Sequence, residues 1–162
     1  MTNIMKKRDM MNNKSVILGI VIVVIVILLT GCGFYNLVDP TEFKQHFGAL
    51  GYTTSDKEEP KFENDTYLVA TKEDVPFKIE YYEFEEELEA KKTYKKYVDS
   101  IVDYITSNSQ NNETTGAVMS KMVAESEKEY VVISRVKNTL IFVNTTKEYK
   151  NEVNTLLEDI KY

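Results

Sequence analysis

The feature that most constrains this chain is an apolar run near its N-terminus. From Val16 to Leu29, fourteen consecutive residues lack a polar side chain, and residues 1–14 before them are mostly polar and basic. A helix needs about 20 apolar residues to span a bilayer, whereas the apolar region of a signal peptide has about 7–15. The length therefore favours a signal peptide. An uncleaved membrane anchor remains a second interpretation, because no charged residue occurs between Ser15 and Val38.

The apolar run ends in a four-residue motif that consists of Leu29, Thr30, Gly31 and Cys32. An apolar residue, two small residues and a cysteine, placed after a basic head and an apolar run, resemble the lipobox of bacterial lipoproteins. The resemblance implies cleavage between Gly31 and Cys32 and a thioether-linked diacylglycerol on Cys32. In the alternative interpretation, Cys32 is an unmodified cysteine at the end of an uncleaved anchor helix.

This resemblance divides the chain into three parts. Residues 1–31 are expected to be a lipoprotein signal peptide, residues 32–38 the lipidated cysteine with a short tether, and residues 39–162 a single extracytoplasmic domain. Two acyl chains suffice for stable anchoring. Positive charges before an apolar segment favour an outside location for the chain beyond that segment. We therefore expect a lipid-anchored protein of the cell membrane that faces outside, and the composition hints at a Gram-positive bacterium.

The charge and the cysteine count exclude several classes of protein. The formal net charge is −6, which argues against a nucleic-acid partner because such proteins carry a basic face. One cysteine and one histidine exclude a disulfide framework and a zinc site built from Cys and His clusters. No phosphate-binding glycine loop or serine nucleophile motif occurs in the sequence. We accordingly expect neither a cofactor nor a metal ion.

Hydrophobic periodicity predicts three helices and about five strands in residues 39–162. Residues 39–42 have the sequence of a capping box with proline at the first helical position, so they are expected to start the first helix. The predicted order is α-ββ-α-βββ-α: a helix to about residue 50, strands at 67–71 and 77–84, a helix at about 85–107, strands at 117–124, 130–136 and 139–144, and a last helix.

These elements predict an α+β fold with a mostly antiparallel sheet, one face of which the helices cover. The polar segments 53–64 and 107–116 show no strand pattern, and the second is expected to be a mobile loop. Residues 117–124 are predicted to be an edge strand. Residues 137–138 suit a two-residue hairpin turn, because Asn tolerates positive φ. Residues 145–148 resemble a second capping box, which would open the last helix.

Arg135 is the first candidate for a functional residue. It is the only arginine of residues 32–162, and it lies in the middle of an apolar strand on the same face as Val131 and Ile133. An arginine in such a place needs a carboxylate partner or a ligand. An internal ion pair, an exposed sheet face and contact with an anionic partner are the three interpretations. His46, the only histidine, lacks any recognisable partner for acid–base chemistry and is expected to be an ordinary helix residue.

Two further groups of residues have compositions that occur in functional sites. Acidic residues cluster at Glu80, Glu83, Glu85, Glu86, Glu87 and Glu89, but their spacing is not that of a calcium loop, and a solvated face is the expected role. Aromatic residues concentrate at Tyr81, Tyr82, Phe84, Tyr94, Tyr97 and Tyr104. Aromatic side chains line carbohydrate and protein interfaces, but they also fill cores, which is the expected role here.

The C-terminal part carries a second resemblance. Residues 133–136 and 138–141, followed by a helix that closes on Tyr162, resemble small uncharacterised lipoproteins of Gram-positive bacteria. This resemblance implies no activity. The sequence favours a binding or scaffolding module whose partner is another envelope protein, a transporter or a wall component. A single-pass membrane protein with an outside domain and a cell-envelope enzyme with an unrecognised site remain alternatives.

Overall fold

The computed structural model describes residues 37–57, 66–104 and 110–162. The predicted signal peptide, the lipobox and Cys32 lie outside the described residues. In chain order the elements are α1 (Pro40–Ala49), β1 (Thr53–Asp56), β2 (Thr66–Thr71), β3 (Lys78–Glu83), α2 (Glu87–Tyr104), β4 (Gln110–Thr115), β5 (Met119–Glu125), β6 (Glu129–Val136), β7 (Thr139–Thr146), a 3-10 turn (Lys147–Tyr149) and α3 (Lys150–Asp159). Among these helices, none is long and apolar enough to cross a bilayer.

The strands form one antiparallel sheet in the order β1-β2-β3-β7-β6-β5-β4. Strands β1 to β3 and strands β4 to β7 are two meanders, and α2 connects the first to the second. The meanders join where β3 pairs with β7, with Tyr81 opposite Ile141. The predicted α+β class and the antiparallel pairing are therefore confirmed.

The predicted number of about five strands is wrong, because the sheet has seven. The two additional strands, β1 and β4, lie in the segments 53–64 and 107–116, for which the sequence predicts no strand. Both are edge strands with polar sequences, TTSD and QNNETT, so neither shows the apolar alternation that reveals a half-buried strand. The predicted strand at 117–124 exists as β5, but it is internal rather than an edge, because β4 covers it.

The expectation that the helices cover one face of the sheet is also wrong. Helices α1 and α3 pack on one face through residues such as Phe47 and Leu157, and α2 packs on the other through Ala90 and Tyr94. Both faces of the central strands are consequently buried. Alternate side chains of β3 therefore point to two buried faces, and neither set faces solvent along the whole strand.

The predicted caps and turns are confirmed at two positions and wrong at one. The capping box of α1 is confirmed, since the Asp39 carboxylate accepts hydrogen bonds from the backbone of Thr41 and Glu42. The second capping box is wrong, because β7 continues to Thr146 and the side chain of that residue caps nothing. The two-residue turn at 137–138 between β6 and β7 is confirmed, and within it Lys137 has positive φ, at 51°.

Candidate functional site

Arg135 is the most deeply buried charge among the candidates from the sequence, with 1% of its side chain exposed. It lies on the face of the sheet that α2 covers. Its guanidinium donates hydrogen bonds to three backbone carbonyls, those of Lys137 at 2.9 Å, Gly116 at 3.1 Å and Ala117 at 3.4 Å. Arg135 thereby ties the β4–β5 turn to the β6–β7 turn.

Two side chains complete this environment. Nη1 of Arg135 lies 3.3 Å from Oε1 of Glu87 at the start of α2, and Nη2 donates to Ser120 Oγ at 3.2 Å. Burial lowers the pKa of the Arg135 guanidinium, and the charge of Glu87 opposes that shift. Lys91 donates to the same carboxylate and, together with Arg135, holds the pKa of Glu87 below its usual range. The ion-pair interpretation of Arg135 is thus confirmed.

A cavity of about 330 Å³ lies beside Arg135, between α2 and strands β4 and β5. Tyr94 crosses this region and donates a hydrogen bond from α2 to Glu113 of β4 at 3.2 Å. Both terminal nitrogens of Arg135 are already engaged by protein atoms, and its Nε is buried without an acceptor. The arginine therefore offers no accessible donor to a molecule in this cavity.

The other candidates from the sequence do not converge with Arg135 on one site. His46 lies on α1, on the opposite face of the sheet. Its ring is nearly perpendicular to that of Phe47, with the ring centroids 5.2 Å apart. The acidic cluster disperses, since Glu87 pairs with Lys91, Glu89 pairs with Lys92, and Glu80 lies in the core. Within residues 37–57, 66–104 and 110–162, no group of three or more His, Cys, Asp or Glu side chains is placed to hold a metal ion.

Most of the aromatic cluster belongs to the core, as expected. Tyr81, Tyr82, Phe84 and Tyr94 are all buried, and Tyr97 is half-buried. The side chain of Tyr104 lies outside the described residues. Tyr82 and Tyr97, however, do more than fill space, because their hydroxyls belong to a polar network around a buried acid.

That acid is Glu80, in the middle of β3. Only 8% of its side chain is exposed. Its Oε2 accepts hydrogen bonds from Tyr82 at 2.5 Å and from Tyr67 at 3.0 Å. Its Oε1 lies 2.7 Å from the ammonium nitrogen of Lys78. A buried carboxylate without such partners would be strongly disfavoured, and the three donors explain how this one is accommodated.

The direction of the hydrogen bonds extends the network to α2. The hydroxyl of Tyr82 has one proton, and the carboxylate of Glu80 accepts it. The oxygens of Tyr82 and Tyr97 are 2.8 Å apart, so Tyr97 is the donor in that pair. Burial, and then the negative charge of Glu80, raise the pKa of Tyr82, which keeps the donor protonated. The rings of Tyr67 and Tyr82 are stacked at 4.6 Å, which fixes both hydroxyls on the same oxygen.

Glu80 also lines an open groove of about 680 Å³ on the α2 face of the sheet. Its floor and walls come from β2, β3, the β2–β3 loop and β7. The lining residues are Thr71, Val75, Pro76, Phe77, Lys78, Glu80, Phe142 and Asn144. Small-molecule sites in proteins have volumes of about 300–1,000 Å³ and combine apolar walls with a few fixed polar groups. The groove has both properties and is the candidate functional site.

Sequence reasoning missed this site because it placed Glu80 in a solvated acidic cluster. A signal was present, since the alternation of β3 puts Glu80 on the same face as Tyr82, between Ile79 and Tyr81. Recognising that face as buried requires knowing that α2 covers it.

A comparison of the chain with protein-family models, with curated proteins and with solved structures finds no significant match.

Proposed function

We propose that this chain is a lipid-anchored protein of the cell membrane that faces outside, and that its folded domain is a binding module. The anchor is supported by the basic head, the apolar run and the motif that ends in Cys32. The binding role rests on one structural observation, the buried carboxylate of Glu80 at the floor of an open groove. A rigid polar group in a partly apolar groove is the usual arrangement of a small-molecule site.

The geometry favours ligand binding over a purely scaffolding role. A scaffold needs a surface, and it gains nothing from a desolvated charge, which requires several donors to be tolerated. Here Tyr67 and Tyr82 hold the carboxylate in one position, and Tyr97 in turn holds the hydroxyl of Tyr82. Fixed polar groups reduce the ordering cost of binding, which is the advantage of a preorganised site.

The anchor is tested by the intact mass of the protein purified from bacterial membranes, beside a Cys32→Ala variant. We expect the mass of residues 32–162 plus a diacylglyceryl group for the natural chain and an unlipidated mass for the variant. A full-length, unlipidated natural chain would contradict the lipid anchor. It would support a membrane-spanning segment instead.

The groove is tested separately with soluble small-molecule fractions of the bacterial envelope. We expect a fraction that raises the melting temperature of the full chain but not that of an Asn144→Trp variant, in which the indole fills the groove. Asn151→Trp is the matched control, because Asn151 is exposed on α3, on the opposite face of the sheet. Equal shifts in the natural chain and in Asn144→Trp would contradict binding in the groove.

A further inference from the structure

One ion pair in the groove joins two side chains of very different mobility. The carboxylate of Glu80 is fixed, because its side chain is 8% exposed and two tyrosines hold Oε2. Lys78 is 55% exposed and reaches Oε1 from the groove side with a flexible four-carbon stem. An exposed lysine loses side-chain entropy when it is held in one geometry, so such pairs are weak.

The ammonium group of Lys78 is therefore the replaceable partner of a fixed carboxylate. Oε2 of Glu80 is already occupied by hydroxyl protons, whereas Oε1 receives only the lysine among the contacts that the described residues show. When the lysine moves away, Oε1 needs another positively charged donor, because a buried carboxylate without a cation is disfavoured. The site thus favours a ligand group that is both positively charged and a hydrogen-bond donor.

The rest of the groove fits the stem of such a cation. Pro76 and Phe142 supply apolar surface to the groove, whereas Val75 and Phe77 line its end but pack into the core on the α1 and α3 face. The volume of about 680 Å³ exceeds that of a lysine side chain. Thr71 and Asn144 add neutral polar groups at the margin. The chain also has a formal net charge of −6, which raises the local concentration of cations.

We propose that the groove binds a primary alkylammonium group, with Glu80 accepting the ammonium and the apolar wall contacting the alkyl chain. This inference rests on the proposed function, because it assigns a ligand class to the same groove. In the bound state Lys78 swings out to solvent, and the ligand takes its place at Oε1. Lys78 is then an internal competitor whose removal strengthens binding.

The test uses the full chain in detergent and three probes with the same five-carbon chain, measured by titration calorimetry. The probes are 1,5-diaminopentane, 1,5-pentanediol and glutarate. We expect the diamine to bind about tenfold or more tightly than either of the others, because only it brings a cation to the carboxylate. Nα-acetyl-lysinamide tests whether the ammonium comes from a lysyl side chain, which would be shown by an affinity above that of the diamine.

Two variants locate the binding. Glu80→Gln, which keeps the shape, should weaken diamine binding about tenfold or more. Lys78→Met, which removes the competitor and its like charge, should strengthen binding by a factor of about three to ten. The matched controls, Glu89→Gln and Lys44→Met, remove exposed charges outside the groove and should leave the affinity unchanged.

Three results would overturn the ammonium assignment: equal binding of the diol, full binding in Glu80→Gln, or weaker binding in Lys78→Met. The last variant keeps the test decisive if Glu80→Gln does not fold, because Lys78 is largely exposed. Failure of the ligand class is distinguishable from failure of the proposed function. Diol or glutarate binding that Asn144→Trp abolishes would retain the groove as a binding site and reject only the cation.

Discussion

Two buried charges lie on the same face of the sheet, and they are accommodated in opposite ways. Arg135 lies where two turns meet, and backbone carbonyls supply most of its acceptors. Glu80 lies in mid-strand beside an open groove, and only side chains supply its donors. The backbone partners of Arg135 are fixed by the fold, whereas one partner of Glu80 is an exposed lysine.

This difference separates the structural charge of Arg135 from the charge of Glu80 in the proposed binding site. A buried charge whose partners are backbone groups of two turns stabilises the geometry of those turns, and it has no accessible group left for a ligand. A buried charge held on one oxygen by rigid phenols and on the other by a flexible lysine keeps an exchangeable position. Burial alone does not distinguish the two cases, but the identity of the partners does.

The strongest test of the comparison is Arg135→Met. The substitution removes the charged donor shared by the carbonyls of Gly116 and Lys137, and hydrogen bonds to a charged group contribute about 1.5–3 kcal/mol each. We expect both contributions to be lost from the free energy of unfolding, measured by urea denaturation. The exposed Lys128→Met is the control and should change stability by less than about 0.5 kcal/mol. An Arg135→Met loss no larger than the control would show that Arg135 is not a structural tie.

A smaller loss in the free energy of unfolding is expected for Tyr82→Phe, which removes a hydrogen-bond donor from Glu80. The substitution removes one donor to a carboxylate that keeps two others, so we expect a loss of about 2 kcal/mol. The control is Tyr130→Phe, whose hydroxyl donates to the neutral amide of Asn154 at 2.6 Å and should be worth about 1 kcal/mol. If Tyr130→Phe lost as much unfolding free energy as Tyr82→Phe, the negative charge of Glu80 would not strengthen the hydrogen bond from Tyr82.

The smallest expected effect is the pH dependence of stability that arises from the tyrosine hydroxyls. It is absent at neutral pH and grows in alkali. Burial, and then Glu80, raise the pKa of Tyr82, and burial together with Glu152 raises the pKa of Tyr52 to about 12. An unfolded tyrosine has a pKa of about 10. The folded state therefore favours the neutral phenols, and this stability is complete below about pH 10 and is lost as the pH rises through the folded pKa values.

This alkaline loss is measured by urea denaturation across that range, together with the ultraviolet absorbance of tyrosinate. Several phenols contribute to the loss, because burial also raises the pKa values of Tyr81, Tyr94, Tyr130 and Tyr162. The variant Tyr82→Phe therefore isolates the share of the loss that arises beside Glu80. Tyr82→Phe should show a shallower loss than the natural chain. Ionisation of the buried tyrosines near pH 10 without any loss of stability would contradict the raised pKa values.

Reasoning from the sequence succeeded for elements that apolar patterns determine and failed where the pattern depends on tertiary context. The central strands β6 and β7, rich in Val and Ile, and the capping box at Asp39 were predicted correctly. The edge strands β1 and β4 were missed because backbone pairing with a neighbour, rather than apolar side chains, makes them strands. The ion-pair interpretation of Arg135 was correct because an arginine in an apolar strand admits few environments.

Glu80 was misplaced because its burial depends on where α2 lies. Nothing within Lys78–Glu83 distinguishes a strand with one buried face from a strand with two. The helix was predicted correctly as an element, but its position on the second face depends on the long connection between the two meanders. The candidate site was therefore the part of the molecule least accessible to reasoning from local patterns.

The pairing of β3 with β7 also determines when the groove comes into existence. Glu80 belongs to the first meander, and its partner Phe142 belongs to the last strand of the second. Contacts between such distant parts of a chain form slowly, after the local hairpins. We therefore expect the groove to be completed late in folding. A ligand of the proposed site would then bind only folded molecules and stabilise the folded state by mass action. For the proposed exported binding protein, occupancy of the groove would thus distinguish fully folded molecules from incompletely folded ones.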